Sequence, residues 1–230
     1  MLTPPYLVNE HYDDRYFDVV NAIEEAKHIY FEGTCIIDML KKRSVLSIGE
    51  TGFGAGRLLI SLMDYLDHSG MTDIAITYTS VELHPISSER MASILEGFIE
   101  PVGHLIDQLV RAYGSIDTTR PGWHQIQLTR PFGTITLNLY IGEALEMVDA
   151  LATRCDAWFL DGHGPKKNPD IWRPELLMAI GEKTASGGTC ATFTVAGAVR
   201  RGLASAGFSV EQVPGFGGKK AVLKGVKNQK

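Results

Sequence analysis

The chain has 230 residues, 44% hydrophobic and 21% charged, with a formal net charge of −5, a length that suits one hydrophobic core with additions better than two. That composition excludes a mainly disordered chain. A mean hydropathy of −0.01, with no apolar run near the roughly 20 residues of a bilayer span, excludes a membrane-resident one. The start, MLTPPYLVNEHYDD, has neither a basic opening nor an apolar core of the leader type, so a cytoplasmic protein is expected. Cys35, Cys155 and Cys190 lie far apart without CxxC or Cys/His spacing, which points to buried free thiols and to no metal site.

In chain order, residues 1 to 43 combine Tyr6, Tyr12, Tyr16, Phe17, Tyr30 and Phe31 with many acids. They are too aromatic for a free tail and are expected as an extension packed on the core. From residue 44 onward, short apolar runs alternate with helical stretches, the rhythm of a parallel sheet with covering helices. Val45 to Gly49 predicts a buried strand, and Arg57 to Leu66 a helix after a glycine turn. Ile76 to Leu83 predicts a second strand, with Pro85 in the first turn of the helix that follows. Residues 100 to 132 carry Gly103, Gly114, Pro121 and Gly122 and predict an insertion of helix and loop beside the sheet. Leu137 to Gly142, Ala157 to Leu160 and Thr189 to Thr194 predict three further strands, with helices near Pro174 to Lys183 and Ala196 to Ala206. Phe208 to Val213 and Ala221 to Leu223 complete the pattern as an antiparallel pair.

Chemistry concentrates at the expected strand ends. Gly49-Glu50-Thr51-Gly52-Phe53-Gly54-Ala55-Gly56 joins a strand to a helix, where glycines let a ligand approach main-chain N–H groups. A tight turn alone explains such a run, but Glu82 ends the second strand, placed for a ribose diol, and Gly142-Glu143 follows the third, placed for an adenine amino group. Three coincidences at successive strand ends point to an adenosine-like ligand, and the absence of a Walker lysine points away from a triphosphate. Trp158-Phe159-Leu160-Asp161-Gly162-His163 delivers a carboxylate to the same edge, in a loop that continues through Lys166, Lys167 and Trp172. Charge is unevenly spread: acids dominate residues 1 to 35, whereas Arg200, Arg201, Lys219, Lys220, Lys224, Lys227 and Lys230 face only Glu211 after Val199. That basic footprint suits a nucleic-acid partner.

These residues resemble the methyltransferase domain of the tRNA 5-methylaminomethyl-2-thiouridine biosynthesis protein MnmC and its stand-alone relatives. The resemblance covers nearly the whole chain. It rests on Asp14-Arg15-Tyr16-Phe17 with Glu24-Glu25, the Gly49 to Gly56 loop, Asp156 to Gly162 with Lys167-Asn168-Pro169 and Trp172, Gly187 to Thr194 with Arg200 to Leu203, Ala206-Gly207-Phe208 and Gly215-Phe216-Gly217. It implies a Rossmann-like α/β fold over residues 44 to 230 that uses S-adenosylmethionine to methylate 5-aminomethyluridine, or its 2-thio form, at the tRNA wobble position. It also implies Asp161 as the catalytic carboxylate, also in contact with cofactor. Glu50, Gly52, Phe53, Gly54, Gly56, Glu82, Gly142 and Glu143 then bind cofactor, and His163, Lys166, Lys167, Trp172, Lys219 and Lys220 bind substrate. Bifunctional members carry an FAD-dependent oxidase that this chain, ending at Lys230, is expected to lack. Two departures, His163-Gly164 after the Asp-Gly pair and Ala55 in the glycine loop, leave another amine acceptor open, as well as a non-catalytic S-adenosylmethionine- or RNA-binding module.

Overall fold

The computed structural model describes residues 8–9, 11–16, 21–218 and 220–229, without the side chains of Arg15 and residues 98–101. Two short strands, β1 (Val8–Asn9) and β2 (Asp14–Arg15), pair antiparallel. Helix α1 (Ala22–Ala26) runs straight into a π-helical segment, Lys27–Glu32, and α2 (Ile36–Leu40) follows. Tyr30 and Phe31 of that segment are buried, with ring centroids 5.6 and 5.5 Å from that of Phe159. Each aromatic ring so buried contributes roughly 1.5–3 kcal/mol, enough to hold these short helices on the sheet.

The remaining elements are β3 (Val45–Glu50), α3 (Arg57–Asp67), β4 (Ile74–Glu82), α4 (Ser88–Leu95), α5 (Ile99–Tyr113), β5 (Gly122–Arg130), β6 (Gly133–Ile141), α6 (Ala144–Asp149), β7 (Cys155–Phe159), α7 (Pro174–Glu182), β8 (Thr184–Thr192), α8 (Gly197–Ser205), β9 (Phe208–Pro214) and β10 (Ala221–Lys227). They build an eight-stranded sheet in the order β5-β6-β4-β3-β7-β8-β10-β9. The five central strands are parallel and the outer pairings antiparallel. The central strands β3, β4, β7 and β8 carry continuous buried runs, as strands covered on both faces do, whereas β6, next to the edge, alternates buried with half-exposed residues. The chain order reverses between β3 and β7, which opens a crevice at their carboxyl ends. Helix α3, buried through Leu58, Leu59, Leu62, Met63 and Leu66, anchors that crevice from below.

Three expectations need correction. Residues 122–130 are not insertion loop but the edge strand β5, paired with β6 from Gly122↔Ile141 to Arg130↔Gly133. Only Ile126 and Leu128 are buried along it, while Trp123, Gln125, Gln127 and Thr129 are exposed. An edge strand with two core residues between Gly122 and Gly133 has too weak an apolar signature to read as one. Pro85 precedes α4 instead of opening it, because Ser87 caps the helix by accepting from the Arg90 N–H at 3.2 Å. Cys155 and Cys190 are buried, their thiols pushed up to about 12 by burial, but Cys35 is exposed. Among the described residues no helix is long and apolar enough to cross a membrane.

Candidate active site

The carboxyl ends of β3, β4, β6 and β7 converge on one cavity of about 300 Å³. The glycine loop after β3 is pinned on both sides: the Thr51 N–H donates to the Phe159 carbonyl at 3.2 Å and the Phe53 N–H to the Val81 carbonyl at 2.8 Å. Gly54 has φ +54° and stands under the Tyr16 ring, which a Cβ would meet at 3.5 Å. Glycine is required there by the left-handed backbone more than by space. Glu82, half-buried at the end of β4, accepts from the Gly54 N–H through one oxygen and from the His84 N–H through the other, each at 2.8 Å. One carboxylate thus ties two loops of the cavity together.

Glu50, at the end of β3, is only 1% exposed. Burial pushes its carboxyl up to about 8, although the Ser80 hydroxyl donating at 2.5 Å acts in the opposite sense. Gly142 and Glu143 complete the far wall, with Glu143 held by Arg173 at 3.3 Å. Of the residues expected to hold cofactor, Glu50, Gly52, Phe53, Gly54, Glu82, Gly142, Glu143 and Asp161 all line this cavity. Gly56 does not line it. It begins α3 at φ +78° with Leu109 and Phe53 packed over it, so its place in the motif is explained by the turn into the helix and by packing.

Asp161 sits in a clamp that sequence reasoning missed. The Tyr30 hydroxyl donates to its Oδ1 at 2.7 Å and Arg57 Nη2 donates to its Oδ2 at 2.9 Å. Its main-chain carbonyl accepts from the Thr51 hydroxyl at 2.7 Å. Arg57 is 8% exposed; it also donates to the Ala22 carbonyl at 3.2 Å and approaches Glu25 at 3.9 Å. Burial works against its charge, but Asp161, Tyr30 and Glu25 outweigh burial and raise its pKa. Burial first and the Asp161 charge second push the Tyr30 phenol well up, so it stays a donor. The signal for Arg57 was present in the sequence: it is the one charged residue in the apolar opening turn of α3, directly after the glycines.

The start of the chain roofs the cavity. Asn9, Tyr12 and Tyr16 line it, and the His11 ring stacks on His84 with centroids 4.0 Å apart. His163 packs against Tyr12 at 4.6 Å and meets Asp14 through Nδ1 at 3.2 Å. His163 therefore faces the cavity. Trp172 does not, contrary to its expected substrate contact: it is 6% exposed, and its indole N–H donates to the His163 carbonyl at 2.8 Å, so it supports the loop from behind. Lys166 and Lys167 are exposed and line neither cavity, and Lys167 pairs with Asp13 at 3.0 Å. Lys220 is exposed too, whereas Lys219 falls outside the described residues.

A second cavity, about 500 Å³, lies behind the first. Tyr16, Arg57, Asp161 and Gly162 line both. The Asp161 carboxylate consequently stands in a wall between two chambers. One is furnished with backbone amides and strand-end acids, the other with aromatic rings and acids.

Residues 101–228, more than half of the chain, match a family model described as S-adenosyl-L-methionine-dependent methyltransferase. Among curated proteins, the tRNA 5-methylaminomethyl-2-thiouridine biosynthesis bifunctional protein MnmC of Pseudomonas entomophila is 38% identical over 218 residues, covering 94% of this chain and 32% of that protein. Its namesake from Caulobacter vibrioides is 35% identical over 212 residues, covering 92% and 35%. The chain thus spans about a third of the length of these relatives. Among solved structures, MnmC2 from Aquifex aeolicus superposes with a TM-score of 0.76 at 20% identity, covering 97% of this chain and 67% of that one, a likeness of fold. With a doubly wound sheet, a glycine loop over a strand-end cavity and a family model matched across most of its C-terminal half, the chain belongs to the S-adenosyl-L-methionine-dependent methyltransferases.

Proposed function

We propose that the protein transfers a methyl group from S-adenosylmethionine to the primary amine of 5-aminomethyluridine, or its 2-thio form, at the wobble position of tRNA in the cytoplasm. The observation that carries this reading is Asp161 in the wall shared by two cavities. The printed name of the relatives, which specifies biosynthesis of 5-methylaminomethyl-2-thiouridine in tRNA, supports the acceptor. The first cavity fits the cofactor by its chemistry: the main-chain amide at Gly52, Glu82 and Glu143 for hydroxyl and amino groups, and the buried Glu50 carboxyl for an ammonium. When bound, the cofactor supplies an electrophilic methyl on a sulfonium.

The chain's own residues must then present a neutral amine. An alkylamine with a pKa near that of lysine, about 10.4, requires roughly 4–5 kcal/mol to lose its proton at pH 7. Asp161, immobilised by Tyr30 and Arg57, accepts an amine N–H with its remaining lone pairs and fixes the nitrogen lone pair toward the first cavity. A carboxylate that cannot rotate aligns the nucleophile without further ordering, which is where positioned groups lower a barrier most. Phe159 and Phe193 line or back the second cavity with apolar surface, which disfavours the ammonium form.

Labelled methyl transfer onto total tRNA from cells lacking the modification tests the proposal. Label is expected in 5-methylaminomethyl nucleosides after digestion, and its absence from tRNA would overturn the reading. Two variants probe the parts. Glu82→Ala removes a charge-assisted acceptor worth about 1.5–3 kcal/mol and frees the Gly54 N–H, so S-adenosylmethionine should bind roughly 10- to 100-fold more weakly by calorimetry. Unchanged affinity would place the cofactor elsewhere.

The basic residues form the phosphate track in this reading. Gly164 and Gly218 line the second cavity, and exposed Lys166 and Lys220 follow each by two residues. Lys167, Arg200 and Arg201 extend the track. Removing one cationic partner of a phosphate lowers the slope of log affinity against log salt by ~0.7–0.9. Lys166→Ala with Lys220→Ala should therefore flatten the slope by about 1.5 and weaken tRNA binding while leaving S-adenosylmethionine affinity unchanged. An unaltered slope would remove both lysines from the interface.

A further inference from the structure

Among the described residues, four line both cavities: Tyr16, Arg57, Asp161 and Gly162. With cofactor in the first cavity and acceptor in the second, these four frame the passage that a transferred methyl must cross. Arg57 and Asp161 are paired at 2.9 Å, so their charges offset each other there. Gly162 offers main chain alone. Tyr16 brings the one aromatic ring of the frame. It follows β2 directly, half-buried, and packs against the main hydrophobic core. The ring also leans on two loops of the site: a Cβ on Gly54 would meet it at 3.5 Å, and its centroid lies 6.3 Å from that of His163. Contacts from the loops after β3 and β7 thus fix the ring at the passage. The strand-end acids Glu50 and Glu82 line the first cavity but not the second, so neither belongs to the frame.

The face of an aromatic ring carries negative potential and attracts a cation, most strongly where water is excluded. A sulfonium is a cation with no N–H or O–H to donate, so a ring face suits it where a hydrogen-bond acceptor does not. Methyl transfer leaves the C–S bonding pair on sulfur as the amine nitrogen forms the new C–N bond. The positive charge passes to nitrogen, beside the Asp161 carboxylate, and the thioether left behind has no charge for the ring to attract. Resting on the methyltransferase reading above, we propose that Tyr16 distinguishes S-adenosylmethionine from S-adenosylhomocysteine, its ring face holding the sulfonium at the passage and releasing the neutral product. The residue thereby favours exchange of spent cofactor, a task separate from the alignment of the amine by Asp161.

Calorimetry on the full chain with three ligands tests this: S-adenosylmethionine, neutral S-adenosylhomocysteine, and sinefungin, which carries an ammonium-bearing carbon in place of the sulfonium. Wild type should bind the two charged ligands roughly ten-fold tighter than the neutral one, the scale of a desolvated cation–π contact. Tyr16→Phe should keep that ratio, whereas Tyr16→Leu should reduce it to about two-fold or less. Replacing Tyr16 by 3,4,5-trifluorophenylalanine, which keeps the shape of the ring but strips its face of negative potential, should reduce the ratio as leucine does. The fluorinated ring preserves packing, so the result does not depend on how well the leucine variant folds. A ring that serves packing alone would, on truncation to leucine, weaken all three ligands equally and would not respond to fluorination; that result overturns the proposal. So does a wild type that binds charged and neutral ligands alike. If wild type methylates tRNA but the ratio survives both changes to the ring, the Tyr16 assignment fails and the proposed function stands. If no tRNA is labelled but the ratio follows the ring, the assignment stands and the tRNA reading fails.

Discussion

Asp161→Asn is expected to lower the turnover number for methyl transfer by about 100-fold or more while leaving S-adenosylmethionine affinity within a few-fold. Positioned acid–base groups contribute on the order of 10²–10⁴ in rate. Asparagine keeps the shape and one acceptor but loses the charge that orients the amine. The alanine variant is the wrong instrument here. It removes both oxygens, so Arg57, 8% exposed, and Tyr30 lose their side-chain acceptor along with the anion, and an orphaned buried charge costs about 3–5 kcal/mol. Inactivity in that variant would confuse unfolding with chemistry. Single-turnover rates with saturating cofactor, paired with thermal unfolding of the same sample, check the expectation. Near-normal turnover in folded Asp161→Asn would remove the carboxylate from the reaction.

The second large effect is on stability and comes from Glu50, whose carboxyl is lifted by burial from 4.5 to about 8. A carboxyl with a higher pKa folded than unfolded holds its proton in the native state. Stability is then greatest below the unfolded value and declines as pH rises from about 4.5 to about 8, because the unfolded chain releases a proton that the folded chain retains. At 1.36 kcal/mol per unit, ionised Glu50 costs the protein on the order of 5 kcal/mol above pH 8. Glu50→Gln mimics the protonated acid and still accepts from Ser80. The variant should match wild type near pH 4.5 and exceed it by several kcal/mol at pH 9 in urea unfolding, while at pH 9, where Glu50 is ionised, it should bind S-adenosylmethionine about 1.5–3 kcal/mol more weakly for want of that charge. A stability difference independent of pH would show that Glu50 ionises normally.

Much of the site was legible in the sequence, because parallel strands end where the chain turns and the glycine loop, Glu82, Gly142-Glu143 and Asp161 each follow an apolar run directly. The length, the alternation of strands and helices, and the chemistry at successive strand ends belong to local sequence, and they determined the α/β class and the cofactor edge. What lay beyond it were the partners across the chain. Tyr30 is 131 residues and Arg57 104 residues from Asp161, and no periodicity relates them. Strand β5, with two buried residues, is recognisable only beside β6. Trp172, expected in the substrate site from the resemblance, instead spends its N–H on the His163 carbonyl, a partner that only the folded loop supplies. The second cavity exists only where an N-terminal helix, a strand-end loop and the last hairpin turn meet. Its charge and aromatic character were therefore decided by tertiary packing, which sums side chains that the sequence keeps far apart.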